Sequence, residues 1–168
     1  MRKKATILTL PVLLAFAALT LLCACASQQQ RAERRAELRR MVDDAIGSRR
    51  LKIEVTSMTT LRYGSRTVTP DFFLELHGDT LHSYLPSLGQ LHQAPMMSPS
   101  IGLNFEAQIE SCVETQPKKN MTRLKIGVRS REEPYTYTIE LYDTGEASIN
   151  VHSNYRDAIS FYGGITSD

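Results

Sequence analysis

The sequence predicts an α+β protein that is mainly β: one curved antiparallel meander sheet of about seven or eight strands, with an N-terminal helix packed on it. Two observations predict this class. A stretch with helical spacing of apolar residues comes first, and segments in which apolar and polar residues alternate then follow as far as residue 161. The chain of 168 residues is long enough for one domain and short for two.

The helix prediction rests on the spacing of four apolar side chains. Leu38, Met41, Val42 and Ala45 recur at i, i+3, i+4 and i+7, which places them on one helix face. Gly47 is a natural stop. The turns before Leu38 carry no apolar face, so we expect only the second half of the helix to pack on the domain.

The strand predictions rest on a period of two. The alternating segments are residues 51–55, 72–76, 81–85, 103–109, 124–128, 135–141, 147–151 and 159–161. Hairpin turns are predicted at 78–79, 116–120 and 143–145, and a long irregular loop with three prolines at 86–99. Strands joined by short turns pair antiparallel. The pattern leaves open whether the sheet closes into a barrel.

The N-terminus has the features of a bacterial lipoprotein leader. Three basic residues precede an apolar run that ends in Leu22-Cys23-Ala24-Cys25. Leu22 three positions before Cys25, and small Ala24 immediately before it, form a lipobox, so Cys25 is predicted to be acylated. The alternative is an uncleaved transmembrane helix, because the run is about 20 residues long.

The leader sets the predicted domain boundaries and location. Residues 1–24 are the signal peptide, 25–34 the lipid anchor and tether, and 35–168 a single globular domain. We expect the mature protein to be lipid-anchored in the bacterial cell envelope, in the outer membrane facing the periplasm, since no acidic cluster follows the cysteine.

The charge gives no indication of a nucleic-acid partner. The precursor has a net charge of +2, but three of its 20 basic residues lie in the leader, which leaves 17 against 18 acidic groups. Residues 31–50 carry seven Arg and four acidic residues, and this basic segment lies next to the predicted anchor, where anionic lipid would attract it. A solvated, salt-bridged helix face is the alternative.

The sequence holds no recognisable catalytic or metal-binding motif, and we predict no cofactor. Cys112 is the only cysteine after the lipobox, and strand alternation places it on the same face as Glu106 and Glu110, which disfavours a thiolate. His77 and His82 flank a predicted turn and would face each other across it. Ordinary hairpin histidines are the alternative to a surface metal site there.

The best candidate binding surface consists of aromatic and Arg residues, the types that anchor interfaces. The candidates are Tyr84, Pro86, Tyr155, Arg156 and Tyr162. The alternative is that these tyrosines cover the rim of the sheet and that Arg156 holds the last turn.

Three motifs carry a family resemblance. They are Gly78-Asp79 followed by residues 83–89 (Ser-Tyr-Leu-Pro-Ser-Leu-Gly), residues 101–105 (Ile-Gly-Leu-Asn-Phe), and residues 153–156 (Ser-Asn-Tyr-Arg) followed by 159–165. Over roughly residues 35–165 the chain resembles domain-of-unknown-function family 4251, small lipoproteins of gut Bacteroidetes. The resemblance implies a fold and a compartment and supplies no catalytic residue.

These observations predict a lipid-anchored envelope protein that acts as a non-catalytic binding or interaction module. Its partner would be an envelope protein, a peptide or an apolar small molecule, in addition to the membrane that holds the lipid. The alternatives are a structural or assembly lipoprotein that acts by sheet-edge pairing, and a periplasmic hydrolase.

Overall fold

The computed structural model describes residues 28–61, 63–69, 71–86, 103–131, 133–155 and 157–166. The predicted signal peptide, Cys25, most of the predicted 86–99 loop and Arg156 lie outside these residues. The chain divides into two compact units, residues 1–37 and 38–168. In the first unit, the described residues 28–37 are helical and exposed.

The second unit contains the end of the helix, α1 (residues 28–47 as described), and a sheet of nine strands. The strands are β1 Arg50–Thr60, β2 Gly64–Thr67, β3 Phe73–His77, β4 Thr80–Leu85, β5 Leu103–Lys118, β6 Met121–Arg129, β7 Pro134–Tyr142, β8 Glu146–Ser153 and β9 Ile159–Thr166.

Eight of the nine strands form a closed antiparallel barrel. From β3 to β9 each strand pairs with the next, and β1 joins the two ends by pairing with both β3 and β9. Within the described residues, the remaining strand, β2, pairs with Ser57–Thr60 at the end of β1. The predicted class, mainly β with an antiparallel sheet and an N-terminal helix, is confirmed. The sheet closes into a barrel, which the sequence pattern left undecided.

The barrel interior is a packed apolar core. Alternate residues of every barrel strand point inward, among them Ile53, Leu74, Ile126, Ile139 and Phe161, each fully buried.

The helix contributes to the same core. Val42 belongs to it, and Ala45 and Ile46 pack against it, at the end of the barrel where β3 turns into β4. The predicted packing of the second half of the helix on the domain is confirmed by these contacts.

A β-bulge explains a glycine in β9. The register of β1 with β9 shifts between Val55 and Ser57, and Gly163 lies opposite Val55. A Cβ on Gly163 would overlap the carbonyl oxygen of Glu54 and lie 3.0 Å from the Cα of Val55. The sequence predicted that the last strand ends at residues 163–164. In the structure these two glycines lie within the strand, which continues to Thr166.

Several strand bounds differ from those predicted. The strand β2 was not predicted, β1 continues to Thr60, and β5 continues to Lys118 through part of the predicted 116–120 turn, which is reduced to residues 119–120. All of β2 and residues 110–118 of β5 are exposed. With neither face buried, these segments have no alternation of apolar residues by which to recognise a strand.

The face predicted for Cys112 is wrong. A second bulge, between Ile109 and Ser111, shifts the register of β5 with β6. Cys112 consequently lies opposite Ile126, whose side chain points into the barrel, whereas Glu106 lies opposite His82 on the outer face. One extra residue in a strand is enough to reverse the two faces.

Candidate functional site

Three aromatic side chains on the outer face of β3 and β4, together with Phe72 just before β3, form a cluster that is here called the aromatic patch. It consists of Phe72, Phe73, His82 and Tyr84. The Tyr84 ring lies 5.4 Å from Phe72 and 5.7 Å from Phe73, and the Phe73 ring meets His82 edge-on at 5.1 Å. All four side chains are half-buried.

The hairpin geometry positions this patch. Gly78 has a φ of 62°, so the two-residue Gly78-Asp79 turn is tight and pairs His77 with Thr80. Counting back from that pair places Phe73 directly opposite Tyr84. Ser83 and Leu85 point into the barrel, and Tyr84 therefore points outward.

Charged residues surround the patch. Glu54 on β1 lies opposite Phe73. His82 has Glu75 of β3 opposite it on one side and Glu106 of β5 on the other. The ammonium group of Lys52 is 5.5 Å from the centre of the Phe73 ring, within cation–π range. Three carboxylates and one ammonium group thus border the four rings.

A separate polar cluster lies inside the barrel. Tyr137 donates a hydrogen bond to Ser83 Oγ over 3.1 Å, and Ser83 donates to the carbonyl oxygen of Leu103 over 2.8 Å. Burial raises the pKa of Tyr137 far above its ordinary value, and the hydrogen bond to Ser83 offsets this only in part. The phenol is therefore a neutral donor that holds β4, β5 and β7 together.

A buried carboxylate lies in the turn between β6 and β7. Glu133 is 5% exposed and accepts hydrogen bonds from the hydroxyl groups of Tyr135, over 2.6 Å, and Ser153. Ser153 Oγ in turn accepts the backbone NH of Tyr155. This network joins Glu133, just before β7, to the end of β8.

Three surface cavities are formed by the described residues of the second unit. One of about 710 Å³ lies between the end of α1 and β1, β3 and β9, one of about 110 Å³ between α1 and β5, and one of about 520 Å³ on the outside of β7 to β9. The last contains Tyr142, whose pKa is raised by partial burial and then by Glu140, a carboxylate 3.3 Å from the phenol oxygen.

The structure separates the predicted surface residues. Tyr84 is in the aromatic patch and Pro86 follows β4 directly. Tyr155 is in the turn between β8 and β9, and Tyr162 is on the outer face of β9, separated from Tyr84 by β1 and β3. Both Tyr155 and Tyr162 are exposed.

The expected meeting of His77 and His82 across their turn does not occur. The partner of His77 is Thr80 and that of His82 is Glu75, because a two-residue turn pairs residues 77 and 80. Among the described residues, no group of three or more His, Cys, Asp or Glu side chains is arranged to hold a metal ion.

Three members of the patch were missed by sequence reasoning. Phe72 and Phe73 were treated as strand residues and His82 as a hairpin histidine or a metal ligand, and Tyr84 alone among the four was proposed for the binding surface. The available signal was the turn: once residues 77 and 80 are paired, Phe73 must lie opposite Tyr84, and both must face away from Ser83.

The fold defines a class: an antiparallel eight-stranded barrel with an apolar core to which an N-terminal helix contributes. The family model for the domain of unknown function DUF4251 matches residues 33–165. The chain belongs to this family.

A solved relative has the same fold. The crystal structure of a DUF4251 family protein from Bacteroides eggerthii DSM 20697 aligns with a TM-score of 0.60 and 12% identity, over 77% of this chain and 87% of that one. The comparison with curated proteins gives no match. In the described residues, no helix is both long and apolar enough to span a membrane.

Proposed function

We propose that this protein is a lipid-anchored, non-catalytic binding module of the bacterial cell envelope, attached through Cys25 to the outer membrane and facing the periplasm. The observation that carries the proposal is the aromatic patch. The barrel buries its own apolar core, yet the rings of Phe73, His82 and Tyr84 cluster on its outer side. Phe72, which also packs against the core, stacks on Tyr84.

The composition of the patch supports binding. Aromatic side chains provide large contact areas and lose little conformational entropy when they are covered, which is why they concentrate at interfaces. The rings of Phe73 and Tyr84 are held on neighbouring strands of a closed barrel, so they are already in place before a partner arrives.

The charges around the patch favour one kind of partner. Glu54, Glu75 and Glu106 outnumber Lys52 among the charged residues that border the rings, so the charge there is negative on balance. A polypeptide segment with Lys or Arg side chains would stack against the rings and approach the carboxylates. We therefore propose a basic segment of an envelope protein or peptide as the ligand.

The test compares partners recovered with variant proteins. Full-length protein, Phe73→Ala and Tyr84→Ala are expressed in a bacterial host, crosslinked in isolated envelopes and purified in detergent, and the captured proteins are quantified by mass spectrometry. We expect each substitution to reduce the same set of captured partners by about tenfold or more, the typical effect of truncating an aromatic anchor.

Tyr162→Ala is the matched control, since Tyr162 is 46% exposed on the outer face of β9, outside the patch. It should leave that set unchanged. Equal loss with Tyr162→Ala, or no loss with either patch variant, would refute the assignment of the surface. Turnover of an envelope substrate by the purified wild type would refute the non-catalytic function.

A further inference from the structure

The strand β5 has a long free edge. Residues 103–108 pair with β4, and the last bond to that hairpin runs from the Ile109 NH to the Asp79 carbonyl oxygen. Beyond this point β5 pairs only with β6, because the β3–β4 hairpin turns back at residues 78–79. In the described part of the chain, no strand pairs with the opposite edge of residues 111–118.

The side chains along this edge are open to solvent in the described part of the chain. All side chains from 110 to 118 are exposed, so neither face of the strand is covered. Pro117 has no backbone NH, which leaves residues 111–116 as the segment able to donate and accept bonds along the edge. Six residues are the length of a typical strand.

An apolar cavity of about 110 Å³ adjoins this edge. Cys112 and Glu114 line one side of it, since their partners Ile126 and Leu124 face the barrel interior. The apolar lining comes from Ala45, Ile46, Leu51, Leu76, Ile109 and Leu124, and Arg49 and Gly78 complete it. The cavity thus lies between the end of α1 and the position that an added strand would occupy, and it has room for one aliphatic side chain.

We propose that residues 111–116 of β5 accept an extended segment of a partner protein as an added strand, and that this segment places one aliphatic side chain in the cavity beside Ala45 and Ile46. Main-chain bonds along the free edge supply affinity, and the cavity supplies selectivity for the side chain that faces it. The added strand continues the barrel wall where β4 is absent.

A second copy of this chain fits the site less well. Antiparallel pairing of two β5 edges would bring Cys112 and Glu114 of each copy to the inner face, because directly opposed residues point to the same side. The second copy would then bring its own Glu114 to a cavity that already has this chain's Glu114 on its lining, and like charges close together are unfavourable. The lining therefore selects a segment with an aliphatic residue at that position.

The test uses full-length protein in detergent and two labelled peptides. One has the sequence Thr-Lys-Thr-Thr-Leu-Thr-Thr-Lys-Thr, and the other has Ser in place of Leu. We expect the Leu peptide to bind at least about tenfold more tightly by fluorescence anisotropy, as burial of one aliphatic side chain predicts. It should also slow hydrogen exchange of the 111–116 amides by about tenfold or more, a measurement that needs no variant.

Ala45→Phe fills the cavity and should remove the preference for Leu, whereas Ala36→Phe, on an exposed position of the same helix, should preserve it. Equal binding of the two peptides, unchanged exchange at 111–116, or a preference that survives in Ala45→Phe would overturn the proposal. So would a dimer of the protein alone that protects 111–116. This site is separate from the aromatic patch, so either proposal can fail without the other.

Discussion

Tyr137 donates its phenolic hydrogen to the Oγ of Ser83 inside the barrel, across 3.1 Å and between residues 54 positions apart in sequence. Both side chains are fully buried. Ser83 in turn donates a hydrogen bond to the Leu103 carbonyl oxygen, so one chain of hydrogen bonds connects β7, β4 and β5. The barrel therefore contains a polar connection whose strength depends on the phenol staying protonated.

Stability should fall at alkaline pH because of Tyr137. Burial raises the pKa of this phenol well above the ordinary value of about 10, so the unfolded chain loses the proton first as pH rises. The contribution is complete below pH 10 and decreases above it, by up to about 1.4 kcal/mol per pH unit. The free energy of urea unfolding, measured between pH 9 and 11, should show this slope. Tyr137→Phe should reduce the slope by the amount that the release of one proton contributes. Tyr155→Phe, at an exposed position, is the control, and an equal reduction there would contradict the explanation.

Ser83→Ala should destabilise the protein more than Tyr137→Phe at neutral pH. The serine change leaves the buried Tyr137 hydroxyl without its acceptor and removes the side-chain bond to the Leu103 carbonyl oxygen, at a cost of about 1–3 kcal/mol. The tyrosine change leaves the Ser83–Leu103 bond in place and should cost about 0.5–1.5 kcal/mol. Chemical denaturation of both variants checks the order, and the reverse order would show that the phenol makes another essential contact.

Gly163→Ala should be among the most damaging single substitutions in the barrel. The added methyl group would overlap the Glu54 carbonyl group at the β1 bulge, and the obstacle is backbone, which cannot rotate away. We expect a loss of at least about 2–3 kcal/mol in the free energy of unfolding. Gly164→Ala is the matched control. Its methyl group would come no closer than 3.4 Å to the Gly145 carbonyl oxygen, so a change within about 1 kcal/mol is expected. Equal effects at the two positions would contradict the role of the bulge.

The parts of the fold that could be read from the sequence are those with one buried face. In β7 and β8 the exposed and buried residues alternate strictly, and both strands were predicted close to their observed bounds. The exposed half of β5 and all of β2 lack this alternation and were missed. Closure of the barrel depends on pairing between β1 and β9, which are about 100 residues apart in sequence, and no local pattern specifies such a contact.

The candidate site was predictable only where a turn fixes the register. Tyr84 was proposed for its residue type, and its neighbour Phe73 follows from the geometry of the Gly78-Asp79 turn. The free edge of β5 exists because β5 is longer than the β3–β4 hairpin beside it. The sequence did not show this difference in length, because the predicted strand stopped at residue 109 and the end of β5 was predicted to be a turn. The cavity beside it depends on how α1 packs on the barrel, which residue types do not specify.

Replacement of Cys25 tests the anchor. With Cys25→Ser the predicted lipobox has no thiol to acylate, so the chain expressed in a bacterial host should carry no lipid and should retain residues 1–24. Incorporation of labelled palmitate and the intact mass measure the two effects, and fractionation should show that the variant no longer reaches the outer membrane. Cys23→Ser is the matched control, because a cysteine two positions earlier would have bulky Leu22 beside the cleaved bond. It should be acylated and processed normally. Normal labelling of Cys25→Ser, or loss of labelling in Cys23→Ser, would show that the anchor has been assigned to the wrong residue.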